Sequence, residues 1–313
     1  MVITNQTVIE KAKELGFDLI GFAKAEELID ETNHLKKWLD LGYQSGMDYM
    51  NRNFEKRKDV KQILPDAKSV ISLAINYYTD HKHNHNLETG KISRYAWGKD
   101  YHLIIWEKLE LLEEYLQELD PGFKSISYVD TGPVMDKAWA VRSGIGWLGK
   151  HTNVITQEIG SWIFIATIIT NQEFQYNEVI PDHCGTCKAC IEACPTNAIV
   201  SEYVVDANKC ISYLTIENKG EISKEFNNKF EQWLFGCDIC QDICPWNNKF
   251  STTTREKEFE PLSRTELKLN EVLNLNEEEF LNNFETSPIK RAKLSGLKRN
   301  ASFIINNNGT IHN

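Results

Sequence analysis

All eight cysteines of this 313-residue chain lie between Cys184 and Cys244. The first four, with the proline that follows them, form the pattern C-x2-C-x2-C-x3-C-P, which ends at Pro195. Bacterial two-cluster ferredoxins ligate 4Fe–4S clusters with this run. Structural zinc is the alternative, but it normally uses paired C-x2-C units, which three consecutive cysteines at this spacing fit poorly. The pattern therefore predicts iron–sulfur chemistry.

The remaining cysteines repeat the ending of this pattern, C-x2-C-x3-C-P, with one ligand displaced upstream by an insertion. In two-cluster ferredoxins the fourth cysteine of a run ligates the other cluster. The eight thiolates then divide into two sets of four. We expect one cluster on Cys184, Cys187, Cys190 and Cys244, and the other on Cys194, Cys210, Cys237 and Cys240.

Two carboxylates are candidates for acid–base chemistry. Asp130 follows a predicted strand over residues 125–129 and precedes Thr131-Gly132-Pro133. A carboxylate at the end of a strand is well placed for catalysis, but it could equally form an Asx-turn or cap the next helix. Asp136, one helical turn later, is the rival acid. The pattern alone leaves these alternatives open.

Other motifs have structural alternatives. Residues 144–149 match G-x-G-x-x-G, but a helix rather than a strand is predicted before them, which argues against a dinucleotide site. The glycines instead indicate close approach of the backbone to a ligand or to another part of the chain. Three alternating histidines in a polar loop could bind metal or simply face solvent: His81, His83 and His85. Arg57 lies in a basic stretch that could be a solvated helix face.

The elements that must position these residues alternate between helix and strand. We predict helices at 7–15, 101–119 and 135–142 and strands at 18–23, 69–78, 125–129 and 162–170. One apolar stripe of the long helix is expected to comprise Leu103, Trp106, Leu109, Leu112 and Leu116. The expected fold class is an α/β (α+β) domain over 1–178, a bacterial-ferredoxin-like two-cluster domain over 179–250, and a short helical C-terminal segment with a polar tail over 251–313.

Charge and hydropathy limit the possible partners. The formal net charge is −10, which disfavours nucleic acid because phosphate contacts come from Lys and Arg. Five positive charges nevertheless lie close together in sequence, either as an anion-binding patch or as ordinary surface: Lys290, Arg291, Lys293, Lys298 and Arg299. No apolar run reaches the roughly 20 residues of a membrane span, and no secretion or twin-arginine signal is present, so we expect a cytoplasmic protein.

Along nearly its whole length the chain resembles the epoxyqueuosine reductases, cobalamin-dependent enzymes of the last step of queuosine synthesis on tRNA. Besides the cysteine groups, the resemblance is carried by these blocks: Glu55-Lys-Arg57, Arg94-Tyr-Ala-Trp-Gly-Lys-Asp-Tyr-His102, Val129-Asp-Thr-Gly132, Gly144-Ile-Gly-Trp-Leu-Gly-Lys150 and Cys237-Asp-Ile-Cys-Gln-Asp-Ile-Cys-Pro245. The block that begins at Arg94 is much more specific than the cysteines.

The resemblance implies a role for several residues. Cobalamin is expected in the N-terminal domain, with Asp130 as the proton donor. The implied cobalamin contacts are Arg57, Asp130, Ser212, Asp238 and Ile239. The implied tRNA contacts are Lys219 and the basic residues Lys290, Arg291, Lys298 and Arg299. No D-x-H-x-x-G motif is present, which fits a cobalt without a lower histidine ligand.

The resemblance also shapes expectations about partners. We expect an unidentified low-potential electron donor, a monomer, and no C-terminal helical-repeat extension of the kind that longer members carry. A flipped base could stack on Trp97, Tyr101, Trp147 or Trp162, each of which could equally be a core residue. Two other functions remain open: a corrinoid reductase of a small molecule, similar to reductive dehalogenases, and a non-catalytic electron-transfer subunit.

Overall fold

The structure, a computed structural model, describes residues 3–84, 86–262 and 265–308. His85 and the last five residues of the polar tail therefore lie outside the described residues. The helices are α1 (Asn5–Glu14), α2 (Ile29–Asp40), α3 (Phe54–Lys58), α4 (Tyr101–Leu119), α5 (Asp136–Arg142), α6 (Ala189–Glu192), α7 (Ile211–Ile216), α8 (Ile239–Asp242), α9 (Pro245–Phe250), α10 (Leu269–Asn274), α11 (Glu277–Phe284) and α12 (Lys293–Asn308). The strands are β1 (Leu19–Lys24), β2 (Ser69–Asn76), β3 (Thr89–Ile92), β4 (Ser125–Tyr128), β5 (Trp147–Leu148), β6 (Val154–Ile155), β7 (Ile163–Thr170), β8 (Ile199–Ser201), β9 (Val204–Val205), β10 (Trp233–Phe235) and β11 (Glu266–Lys268).

A four-stranded antiparallel sheet with the order β1-β2-β7-β4 forms the centre of the N-terminal part. Every residue of β2 is buried, which explains its nearly continuous apolar sequence. Ile71, Leu73 and Ile75 pack into the core beneath α1 and α4, whereas Val70 and Ala74 pack on the opposite side. Because side chains alternate along a strand, helices can cover both faces of this sheet. The α+β class is confirmed.

The long helix α4 has the predicted bounds, but part of its predicted apolar stripe was wrong. Leu103 and Trp106 are 45% and 37% exposed. The buried face consists of Ile104, Ile105, Leu109, Leu112 and Leu116. The reason is geometric. An α-helix has 3.6 residues per turn, so successive positions spaced by three residues rotate away from one face unless a spacing of four compensates. The helix begins at an N-cap, Asp100, whose side chain accepts a hydrogen bond from the backbone N–H of His102.

A small three-stranded sheet joins the three predicted segments of the chain. Its central strand β3 pairs in parallel with β10 and antiparallel with β11, so each segment supplies one strand. Helices α10, α11 and α12 cover this sheet around Ile92, Leu234 and Leu297. The segments therefore interlock, and the boundaries near residues 178 and 250 remain a prediction. Within the described ranges, no helix is long and apolar enough to cross a membrane.

The glycine-rich segment after α5 serves chain packing. Gly144 has φ +70° and ends the helix. A Cβ on Gly146 would lie 2.1 Å from the carbonyl oxygen of Ile155, on the paired strand β6. A helix precedes the glycines, as predicted. The close approach that the glycines allow is between two parts of the chain.

Candidate active site and its family

The structure brings the eight cysteines into two groups. The thiols nearest to Cys190 are those of Cys184, Cys244 and Cys187. The thiol of Cys240 has Cys210, Cys190 and Cys194 as neighbours, and Cys237 has Cys240 and Cys210. This grouping supports the two sets expected from the ferredoxin crossover, which remain a prediction, and Cys190 and Cys240 lie where the two sets approach each other.

The first set of thiols surrounds a cavity of about 200 Å³. Cys187 is exposed at its rim, whereas Cys190 and Cys244 are buried. Lys150 stabilises the loop on one side, because its Nζ donates to the carbonyl oxygen of Gly185 at 2.6 Å. Burial, followed by the neighbouring thiols, raises the pKa of Cys190 to about 11. Four thiolates this close together require positive charge between them, which the iron of a cluster supplies.

The second set lies deeper and is linked to the backbone of two short helices. Cys210 precedes α7, and the backbone N–H groups of Tyr213 and Ser212 face its sulfur. The backbone N–H of Ile239 faces Cys237 in the same way. Ser212 and Ile239, two of the expected cobalamin contacts, therefore lie directly beside these thiols.

Asp238, another expected cobalamin contact, directs its carboxylate away from the thiols. It accepts hydrogen bonds from the Ser93 hydroxyl and, at 2.7 Å, from the backbone N–H of Arg94. Burial, and then the nearby Asp242, raises the pKa of Asp238 to about 7. The side chain therefore connects the cluster loop to the segment that begins at Arg94, and only the backbone of Asp238 is left to face a cofactor.

Arg94 is a site residue to which the sequence reasoning assigned no role, although the block that it begins carried the resemblance. Its guanidinium lies 4.8, 4.5 and 4.9 Å from the ring centroids of Tyr78, Trp97 and Trp162. It also forms an ion pair with Asp242 on α8 at 3.7 Å and donates to the carbonyl oxygens of Thr79 and His81. Arg94 therefore fixes α8, the helix that carries Cys240 of the second set, against the N-terminal part of the molecule.

Asp130 lies on an exposed loop that follows β4. Its φ of +55° belongs to the left-handed region, which Asp adopts more readily than most residues. The hydroxyl of Tyr101, the first residue of α4, donates to Oδ2 of Asp130 at 2.9 Å. The Tyr101 ring is itself fixed between Phe164 and His102, with centroid distances of 4.2 and 4.1 Å. The core of the sheet therefore positions the carboxylate.

Asp136, the rival acid, has a different environment. It begins α5 and accepts a hydrogen bond from the hydroxyl of Thr167, on the central sheet, at 2.6 Å. Burial raises the pKa of Asp136 to about 7. A carboxyl with this pKa would be an effective acid at neutral pH. Its hydrogen bond to the sheet, however, leaves it less accessible than Asp130.

Two cations lie near these carboxylates, since Arg57 has Asp136, and Lys137 has Asp130, among its charged neighbours. Arg57 is buried at the end of α3, and it donates to the carbonyl oxygens of Val134 and Tyr49 at 3.4 Å each. Its buried Nε has no partner among the described residues. Lys137 Nζ donates to the carbonyl oxygen of Thr152 and to Asn153 Oδ1, both at 3.0 Å.

The side chain of Lys137 lies close to both the Asp130 loop and the second set of thiols. It is exposed, yet desolvation lowers the pKa of its ammonium, and the charged groups near it include Asp130, Cys240 and Cys210. Lys137 therefore lies between the Asp130 loop and the second set of thiols. We use the name central cleft for the region around Arg57, Asp130, Lys137 and Cys240.

The expected RNA contacts fall into two groups. Lys219, Arg291 and Lys293 lie near one another. Desolvation lowers the pKa of the Lys219 ammonium, and the positive charges of Arg291 and Lys293 lower it further. We call these three residues the basic rim. Arg291 forms a bidentate pair with Glu217 at 2.7 and 3.0 Å, a partner that the sequence pattern did not suggest.

The other expected RNA contacts are bound within the protein or lie apart from the rim. The guanidinium of Arg299 donates to the carbonyl oxygens of Asn218, Gly220 and Leu214. Lys290 pairs with the buried Asp100 at 3.0 Å. Lys298 lies partly exposed on α12.

Comparisons with known proteins agree with this arrangement. A family model described as epoxyqueuosine reductase QueG, DUF1730, matches residues 57–131, and one for a 4Fe–4S double cluster binding domain matches residues 183–247. An epoxyqueuosine reductase of Cellulophaga algicola is 47% identical, over 94% of this chain and 95% of that relative. The chain belongs to the epoxyqueuosine reductase family.

Other members of the epoxyqueuosine reductase family are similar in sequence and in structure. The enzyme of Pseudomonas aeruginosa is 38% identical over 96% of this chain and 85% of its own. A crystal structure of an epoxyqueuosine reductase with an epoxyqueuosine-modified tRNA-Tyr stem loop matches with a TM-score of 0.90 at 35% identity, over 96% of this chain and 80% of that one. A Bacillus subtilis structure, in which a catalytic aspartate loop is swung out of the active site, matches with a TM-score of 0.89 at 34% identity over the same shares.

Membership in the epoxyqueuosine reductase family decides several of the expectations. The recognised family, the fold class and the assignment as an oxidoreductase are confirmed. The chain is therefore an enzyme rather than a non-catalytic electron-transfer subunit. The individual site residues remain predictions, which the geometry above supports to different degrees.

The residues of the central cleft fit a bound cobalamin. Its corrin ring carries polar amide side chains and a phosphate, which need hydrogen-bond donors and positive charge. Arg57 has an unpartnered buried Nε and only two long hydrogen bonds, and Lys137 has a third ammonium hydrogen without an assigned acceptor. These donors are available to such a group.

Proposed function

We propose that this protein reduces epoxyqueuosine to queuosine in the anticodon loop of tRNA, the last step of queuosine biosynthesis, using cobalamin and two 4Fe–4S clusters. The observation that carries the proposal is the position of Lys137, which has the exposed loop carboxylate of Asp130 and the thiols of Cys240 and Cys210 among its charged neighbours. Membership in the epoxyqueuosine reductase family supplies the substrate class, and one relative has been solved with an epoxyqueuosine-modified tRNA stem loop.

The reaction removes the epoxide oxygen as water and leaves an alkene, so it consumes two electrons and two protons. When bound, the clusters and cobalamin supply the electrons at the low potential that an unactivated epoxide requires. The protein must ligate the clusters, hold the modified base at the cleft and deliver protons. With the proposed ligand sets, both clusters would lie within one small module, and the second would be the one nearer to Lys137.

Asp130 is our candidate for the proton donor to the departing oxygen. Its loop is exposed to the cleft, and its only side-chain hydrogen bond in the described part of the chain comes from Tyr101. General acid catalysis of this kind is worth about 10²–10⁴-fold in rate. The catalytic aspartate loop of the Bacillus subtilis relative supports the same role for a loop carboxylate. We propose that Tyr101 positions the Asp130 carboxylate toward the base.

The basic rim supports binding of the RNA backbone. Lys219, Arg291 and Lys293 provide local positive charge on a chain whose net charge is −10. Because phosphate contacts depend on the local surface, the acidic total does not prevent tRNA binding. Lys298 remains an additional candidate, whereas Lys290 and Arg299 would first have to leave their internal partners. We retain a cytoplasmic monomer served by a low-potential electron donor as predictions.

The test is conversion of the natural substrate. The holoprotein is prepared anaerobically with both clusters and cobalamin, reduced, and incubated with tRNA from cells that lack this gene. Nucleoside mass spectrometry should show loss of one oxygen from the hypermodified guanosine. If the loaded protein leaves the nucleoside unchanged, while a brominated or chlorinated phenol is reduced, the small-molecule corrinoid reductase is the correct function instead.

A further inference from the structure

Tyr49 is an exposed aromatic residue beside the central cleft that no sequence motif indicated. It lies on a 3-10 turn, Asp48–Asn51, and is 40% exposed. The guanidinium of Arg57 donates to the carbonyl oxygens of both Tyr49 and Val134 at 3.4 Å. Since Val134 ends the loop that carries Asp130, a single guanidinium separates the turn of Tyr49 from the catalytic loop.

The side chain of Tyr49 lies near charged groups of both the Asp130 loop and the basic rim. Desolvation raises the pKa of its hydroxyl to about 12, and the charged groups that influence it next are Glu217, Arg291, Asp130 and Arg57. Together with the hydrogen bond from Arg57 to the Tyr49 carbonyl oxygen, these neighbours put the exposed residue within reach of both regions. A substrate whose backbone contacts the basic rim and whose reacting group reaches Asp130 must pass the Tyr49 ring.

The aromatic residues named from the sequence cannot provide an equivalent surface. Trp97, Trp147 and Trp162 are buried in the core. The ring of Tyr101 is stacked on Phe164 and on His102, so its faces are already covered. Tyr176 is exposed, but it lies beyond the end of β7 and donates to the carbonyl oxygen of Lys68.

We propose that the ring of Tyr49 is the stacking surface for the modified purine base once that base leaves the anticodon loop. This inference rests on the proposed function and adds the site that holds the base. Bases extruded from RNA loops commonly stack on aromatic side chains, and such stacking does not depend on hydrogen-bonding groups. The Glu217–Arg291 pair, which is among the charged neighbours of Tyr49, then supplies polar contacts for the base or its phosphate.

The test measures binding of an anticodon stem loop to the holoprotein by fluorescence anisotropy. Tyr49→Leu keeps an apolar side chain of moderate size but removes the ring, and it should weaken binding of the epoxyqueuosine-containing stem loop by about tenfold or more. Tyr49→Phe should bind as the wild type does. Tyr176→Leu is the matched control at an exposed tyrosine away from the cleft, and it should also leave the affinity unchanged.

The dependence of affinity on salt separates stacking from charge. Tyr49→Leu should leave the slope of log affinity against log salt unchanged, whereas Arg291→Gln should reduce it by about one. Iron content and the absorbance of bound cobalamin verify that each variant is folded.

Two results would overturn the inference in different ways. If Tyr49→Leu binds and converts the stem loop like the wild type, stacking on Tyr49 is wrong and the proposed function stands. If the wild type neither binds nor converts the stem loop, both the inference and the proposed function are wrong.

Discussion

Asp130 and Tyr101 form the contact on which the proposed chemistry depends. The hydroxyl of Tyr101 donates to the carboxylate at 2.9 Å, and burial, followed by the charge of Asp130, raises the pKa of Tyr101. The hydroxyl therefore keeps its proton at all working pH values and remains a donor. Because Phe164 and His102 fix its ring, Tyr101 can hold the exposed Asp130 loop in one orientation.

Removing the Tyr101 hydroxyl should lower the turnover rate only because Asp130 is then less well positioned. We expect Tyr101→Phe to lower kcat about tenfold while KM and cobalamin affinity stay unchanged, since the stacked ring remains in place. In an Asp130→Asn background the same substitution should have almost no further effect, because coupled residues are not additive. Single-turnover kinetics on the four proteins of this cycle measure the coupling. Additive losses would show that Tyr101 acts independently of Asp130.

Replacing Asp136 should change the stability of the protein rather than its catalytic rate. Its folded-state pKa of about 7 is raised by burial above the ordinary value of 3.8, so the native state keeps a proton that the unfolded state has lost. This carboxyl therefore destabilises the protein increasingly as pH rises from about 4 to 7. Asp136→Asn should remove that cost and still accept the hydrogen bond from Thr167.

We expect Asp136→Asn to raise the thermal midpoint of the holoprotein more at pH 8 than at pH 5. Anaerobic thermal denaturation at the two pH values, with the wild type alongside, measures the difference. An equal gain at both values would contradict the assigned ionisation.

At the scale of elements, Arg94 connects the central sheet to the cluster helix α8. Its guanidinium lies within a cage of three aromatic rings and next to two carboxylates, those of Asp238 and Asp242. The connection explains why a block far from the cysteines carries so much of the family resemblance. The same element positions Tyr101 at the start of α4, so one segment reaches both the second set of thiols and the catalytic loop.

Replacing Arg94 should weaken this connection strongly. Arg94→Met leaves two carboxylates without their cation and should lower the free energy of unfolding by about 3 kcal/mol. The matched control is Arg142→Met, which removes a bidentate pair with Glu31 at the surface and should cost no more than about 1 kcal/mol. The loss of cluster absorbance on heating measures the unfolding midpoint of each variant. Equal midpoints for the two variants would show that Arg94 is not the connection described.

At the scale of the whole molecule, the predicted crossing of the cysteine runs would join the two halves of the cluster module. Two double substitutions test the crossing. Cys184→Ser with Cys244→Ser removes ligands from one cluster and should leave about four iron atoms per chain. Cys184→Ser with Cys194→Ser removes ligands from both and should leave few or none. If iron content and paramagnetic resonance show the reverse, the ligand sets follow the sequence groups instead.

The sequence predicted those parts of the molecule that depend on local pattern. The continuous apolar run of β2, the bounds of α4 and the spacing of the cysteines each reflect a single periodicity, and each agrees with the structure. The exposed positions of Leu103 and Trp106 were missed, because which face of a helix is buried depends on its neighbours.

The missed features of the site have a different physical origin. The Glu217–Arg291 pair, the cage around Arg94 and the location of Tyr49 beside Asp130 all join residues that are distant in the chain. No periodicity or spacing records such contacts, since they arise only when sheets and loops pack together. The basic patch could be identified from the sequence. The hydrogen bonds of the Arg299 guanidinium to carbonyl oxygens within the protein could not.

The proton donor is the central claim, and a comparison of Asp130→Asn with Asp136→Asn tests it most directly. Both variants are loaded with clusters and cobalamin, reduced, and mixed with epoxyqueuosine-containing stem loop in a single turnover. Paramagnetic resonance verifies that the cofactors are bound and reduced, and mass spectrometry measures deoxygenation. We predict that Asp130→Asn loses about 10²–10⁴-fold in rate and that Asp136→Asn stays near the wild type. Near-normal deoxygenation by Asp130→Asn together with a large loss in Asp136→Asn would contradict the account and assign the proton to Asp136.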